Sequence, residues 1–140
     1  MGSAVMRQLI VIGAGVLFAA GIRRKLQVSS GFMAAIGSWG VVPPARVRMV
    51  ARSLVFLEGA LAAMAFAALS VPALWAVTVA ASAGLLGVFA VGQMAIAQRS
   101  RAARCGCFGA GGRVGVGSVV RTSTLAAVFA AVLVLGGWLP

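Results

Sequence analysis

The sequence has almost no negative charge. A single acidic side chain, Glu58, faces 12 Lys+Arg, there is no His, and charged residues make up 9% of the 140. Without His or Asp, carboxylate pairs, Ser/His/Asp triads and His-based metal sites cannot be built within one copy of the chain. The shortage of charge also excludes the soluble enzyme folds, because a soluble domain draws about a quarter of its residues from the charged types to cover its surface. What the chain has instead is apolar length: 62% of its residues are hydrophobic and its mean hydropathy is +1.10. A net charge of +11 would point to nucleic acid in a polar chain. Here the basic residues bracket apolar runs, as anchors at a lipid headgroup layer do, so a bilayer is the expected partner and nucleic acid is not.

Gln8 to Ile22 is uncharged and covers about 22 Å as a helix, which spans a bilayer once the flanking arginines snorkel. The basic Arg23-Arg24-Lys25 directly after it marks a retained anchor in preference to a cleaved signal peptide, although Ala19-Ala20-Gly21 offers small residues for a cut. Between Ser53 and Gln98 the only charge is Glu58, and Ser70-Val71-Pro72 breaks that stretch into two helices. A last apolar run closes the chain. The sequence therefore predicts an all-α integral membrane protein, one domain over 1–140, with a four-transmembrane-helix bundle spanning about 8–24, 49–69, 73–97 and 119–139. In the first loop Phe32, Ile36 and Trp39 recur at helical spacing, which predicts a short interfacial helix from Gly31 to Gly40, ended by Val42-Pro43-Pro44. Small residues such as Gly15, Gly21 and Gly59, and the methionines, read as helix packing.

With four spans the two longer loops share one side of the membrane. All basic residues except Arg7 flank those two loops, so the positive-inside rule predicts cytoplasmic loops and outside termini in a multi-pass cell-membrane protein. Trp75 and Trp138 then fall at the outer interface and Trp39 at the inner one.

The reactive segment is Cys105-Gly106-Cys107-Phe108-Gly109. Two thiols one glycine apart can close a small, strained disulfide ring, which favours exchange over permanent stapling. Arg101 and Arg104, with Arg99 and Arg113 nearby, would stabilise a thiolate. The same residues also admit two inert thiols, or half of a metal site; a metal centre is not expected from two sulfurs without His, though linear Cu(I) coordination stays open. Glu58 lies about a turn and a half inside the second span, on the side of the cysteine loop, and a carboxylate at that depth needs a partner or a proton. Arg121 and Gln93 share its leaflet and are the expected partners. Either a polar clasp between helices or a proton-handling group beside the thiols fits this placement.

Lys25 closing the first span, Phe32 and Val42-Pro43 in the loop, Leu57-Glu58-Gly59, then Cys105-Gly106-Cys107-Phe108-Gly109 and Arg121 before the last span together resemble the methylamine utilisation MauE family, within the DoxX-like membrane proteins. The resemblance runs over nearly the whole chain, and the C-x-C-F-G segment is its most specific element. It implies a four-helix bundle and thiol-disulfide chemistry in the maturation of exported proteins, alongside a thioredoxin-like partner. It carries Cys105 and Cys107 over as the redox pair of a thiol-disulfide oxidoreductase, and Glu58 and Arg121 as site neighbours. Disulfide formation for exported clients asks for an outward-facing pair, whereas the charge distribution puts this one inside. On the charge reading, electrons would pass to or from a cytoplasmic partner or a membrane quinone. No other cofactor is expected. The rival reading is a non-catalytic membrane scaffold or assembly subunit whose thiols never cycle, with Cu(I) handling as a third.

Overall fold

The computed structural model describes residues 2–99, 104–105, 112–113 and 116–136. Helix α1 (Gly2–Gln27) is followed by the short α2 (Ser29–Ser38) and a 3-10 turn (Pro44–Arg46), then α3 (Val47–Ala67) and α4 (Leu74–Arg99). A hairpin of two-residue strands, β1 (Arg104–Cys105) and β2 (Gly112–Arg113), leads to α5 (Val116–Gly136). Helices α1, α3, α4 and α5 are long and apolar enough to cross a membrane. The protein is a multi-pass membrane bundle of four spanning helices.

Helix α1 extends past the predicted 8–24 at both ends, because neither Arg7 nor Arg23-Arg24-Lys25 opposes helix geometry and long basic side chains need not end a span at the apolar boundary. The first-loop helix forms two residues earlier than its spacing suggested. Gly40, at φ +69°, lies just beyond it in the left-handed region that glycine adopts without strain. Pro43 then precedes the 3-10 turn, with Pro44 at its first position. Between α3 and α4 the chain turns at 68–73, and the amide nitrogens of Leu74 and Trp75 donate to the carbonyls of Val71 and Pro72 at 3.0 Å each. The proline break falls where the sequence placed it. Trp138 lies outside the described residues.

Each spanning helix buries one narrow stripe and turns the rest outward, as helices solvated by lipid can. Helix α1 buries Val11, Ala14, Phe18, Gly21 and Lys25, and α3 buries Ala51, Glu58, Leu61 and Ala65, both at heptad spacing. The core joins Ala14 and Phe18 to Leu61, Ala62 and Ala65, then to Val79 and Leu86 of α4 and Phe129 of α5. At Gly15 the helices meet so closely that an added Cβ would stand 3.0 Å from the Phe66 ring, which explains a small residue there. Helix α3 packs chiefly on α1, and α5 chiefly on α4. Helix α2 lies across one end of the bundle, where Phe32 and Ile36 bury with Ala51.

Candidate functional site

The one acidic side chain of the protein is buried. Glu58 is 3% exposed, Lys25 is 1% exposed, and Lys25 Nζ donates to Glu58 Oε1 in a salt bridge between α3 and α1. Two rings close around the ammonium: its nitrogen stands 5.3 Å from the Phe32 centroid of α2 and 5.7 Å from the Phe89 centroid of α4, distances at which an aromatic face attracts a cation. Four helices therefore converge on one ion pair. The second carboxylate oxygen, Oε2, is buried without a hydrogen-bond partner among the described residues, on the side of Gly21, where a Cβ would lie 3.7 Å away.

This partner differs from the expected ones. Glu58 pairs with Lys25 instead of Arg121 or Gln93 because α3 lies along α1, while α5 lies along α4. Gln93 joins those last two helices: its Nε2 donates to Thr122 Oγ1 at 3.2 Å, and the Thr122 hydroxyl donates to the Ser118 carbonyl at 3.0 Å. Arg121, next along α5, is exposed. Lys25 was the missed residue. The charge pattern groups it with Arg23 and Arg24 as an interfacial anchor, yet those two are exposed while Lys25 is buried. Its signal was periodicity, since Lys25 continues the heptad stripe of Val11, Ala14, Phe18 and Gly21, and its two basic neighbours fall off that stripe. Phe89 carried no comparable signal.

Strand β1, which carries Cys105, lies at the same end of the bundle, against α2. It pairs antiparallel with β2, Arg104 opposite Arg113 and Cys105 opposite Gly112. Cys107 and Arg101 lie outside the described residues, and of Arg104 and Cys105 the backbone alone is described. Helix α2 thus touches both candidates, the strand that carries Cys105 and, through Phe32, the Lys25 ammonium. Among the described residues no group of three or more His, Cys, Asp or Glu side chains comes together to hold a metal ion.

The opposite end of the bundle is chemically plainer. Arg7 stacks over Trp75 with its guanidinium carbon 5.3 Å from the ring centroid, a contact suited to the headgroup layer.

No curated protein and no solved structure matches the chain. The family described as methylamine utilisation protein MauE matches residues 3–139, nearly its whole length, and the protein belongs to that family.

Proposed function

We propose that this MauE family membrane protein exchanges electrons through Cys105 and Cys107, as a thiol-disulfide oxidoreductase acting on a partner of thioredoxin-like type. The supporting observation is the placement of the Cys105 hairpin against α2, with the buried Lys25–Glu58 pair on the bundle side of that helix. In the exchange, one thiolate attacks a sulfur of the partner's disulfide to give a mixed disulfide and a partner thiol. The second cysteine then attacks the mixed disulfide, closing the Cys105–Cys107 bond and releasing the partner as a dithiol. Two electrons and two protons leave this chain; the reverse sequence oxidises the partner. A quinone would take the same two electrons and two protons, becoming the quinol. Arg101 and Arg104 would hold the attacking sulfur as thiolate, and Glu58 and Arg121 would neighbour the exchanging pair.

Trapping the thiols with a membrane-impermeant alkylating reagent, in intact and in permeabilised cells side by side, tests sidedness and redox state together. The proposal expects a mixture of reduced and oxidised Cys105–Cys107 that shifts with a cell's oxidant load, and loss of the shift in Cys105→Ser and Cys107→Ser variants. A pair that stays reduced under every oxidant favours the scaffold reading. Glu58→Gln then separates two roles for the carboxylate: loss of exchange with normal accumulation marks a proton-handling group, whereas loss in proportion to folded protein marks a clasp.

A further inference from the structure

Beside the ion pair, where α1 ends and α3 begins, an open groove of about 550 Å³ runs under α2. Its apolar wall includes Phe32, Met33, Val55 and Phe56, and its lining also includes Arg48 and Arg52. Phe56 is 79% exposed, so the groove opens toward the surroundings of the bundle. Arg48 and Arg52 are both exposed and stand one turn apart on α3, close enough to repel each other.

No second acidic side chain exists to relieve that repulsion. Glu58 is the sole acidic side chain, and it is buried against Lys25. The anion that complements Arg48 and Arg52 must come from outside the protein. Both arginines lie in the first turns of a spanning helix, the depth of lipid headgroups, and the wall beside them is apolar. We propose that this groove binds an anionic glycerophospholipid, its phosphate held by Arg48 and Arg52 and one acyl chain laid along Met33, Val55 and Phe56. Guanidinium groups match phosphate oxygens in geometry as well as charge, and basic pockets between spanning helices are suited to acidic headgroups. The acyl chain would cover ring and methylene surface that α2 leaves open.

The full-length protein, reconstituted in nanodiscs of phosphatidylcholine with a minority of phosphatidylglycerol, tests this by native mass spectrometry of the lipids retained on extraction. Wild-type protein should retain phosphatidylglycerol selectively, and R48Q/R52Q should lower that retention by about tenfold or more, because both basic groups at the headgroup are lost together. The variant R23Q/R24Q removes the same charge from outside the groove and should keep wild-type retention. F56A, with both arginines present, should weaken retention of long-chain phosphatidylglycerol more than that of a short-chain analogue. Equal retention of the two lipids by wild type, or equal losses in R48Q/R52Q and R23Q/R24Q, would overturn the proposal in favour of diffuse surface charge. Displacement of the lipid signal by decylubiquinone, with retention indifferent to R48Q/R52Q, would overturn it in favour of a neutral amphiphile. Melting of each variant in the same discs shows whether it is folded; should R48Q/R52Q fail that check, R48K/R52K provides the second measurement. Lysine keeps the charge and loses the fork, so reduced retention at unchanged salt dependence supports the site, and unchanged retention overturns its phosphate geometry.

Discussion

Lys25→Met should loosen the bundle more than any other single substitution of a basic residue in the described part of the protein. The change keeps length and apolar stem but strands the Glu58 carboxylate, which is 3% exposed and has one oxygen already unpartnered among the described residues. Removing one member of a buried pair typically costs roughly 3–5 kcal/mol. The membrane reduces that figure, because in separated helices Lys25, two residues from the end of α1, can reach the headgroups. Glu58 sits deeper and gains no such relief. Glu58→Gln strands the ammonium instead, still cradled by Phe32 and Phe89. The double variant K25M/E58Q removes both charges and should recover much of the loss, giving a coupling of about 2 kcal/mol, roughly thirtyfold in the folding equilibrium. Reversible unfolding in bicelles, followed by tryptophan fluorescence on wild type, both single variants and the double, measures it directly. A coupling at or below about 0.6 kcal/mol, the size of an average hydrogen bond between membrane helices, would refute the view that this pair fastens α1 to α3.

Three further outcomes are expected. Single-cysteine variants at Gly111, in a background lacking the native thiols, should label with impermeant maleimide only after permeabilisation if the loops are cytoplasmic; ready labelling of intact cells would reverse the orientation and restore the exported-client reading. Replacing Arg101 and Arg104 by Gln should slow alkylation of the native thiols at neutral pH several-fold by reducing the thiolate fraction, and rates equal to wild type would show that these arginines do not act on the sulfurs. Gly15→Leu should destabilise the bundle by about 1–3 kcal/mol relative to Gly13→Leu, since a side chain at Gly15 meets the Phe66 ring whereas Gly13 has no neighbour within 4 Å; equal melting of the two variants would show that Phe66 swings aside without cost.

Much of this architecture can be read one residue at a time. The apolar runs, the break at Ser70-Val71-Pro72 and the helix around Phe32 and Ile36 follow from local composition and spacing, because a helix in lipid must satisfy its backbone internally whatever it packs against. The helix limits were less legible. Basic residues that close an apolar run do not close a helix, and α1 accordingly runs to Gln27. At the candidate site the sequence singled out Glu58, a lone carboxylate in an apolar stretch, and the C-x-C segment. The identity of the partner was not legible from leaflet depth: Lys25, Arg121 and Gln93 all lie at the same end of the bundle.

The sequence by itself determined that this chain crosses a membrane with four helices, since the count and length of its apolar runs leave no other way to solvate them. It also determined that Glu58 must find a counter-charge or hold a proton, because it lies inside an apolar run that spans the bilayer. Only the tertiary structure decided that α1, not α5, lies along α3, so that one lysine of the basic triplet turns inward to Glu58 while Arg23 and Arg24 stay exposed. The physical reason is that neighbours in a bundle are chosen by the fit of whole helix faces. Small residues such as Gly15 and Gly21 let α1 approach, Ala62 and Ala65 receive it on α3, and the ion pair then forms between whichever side chains that approach has brought into register.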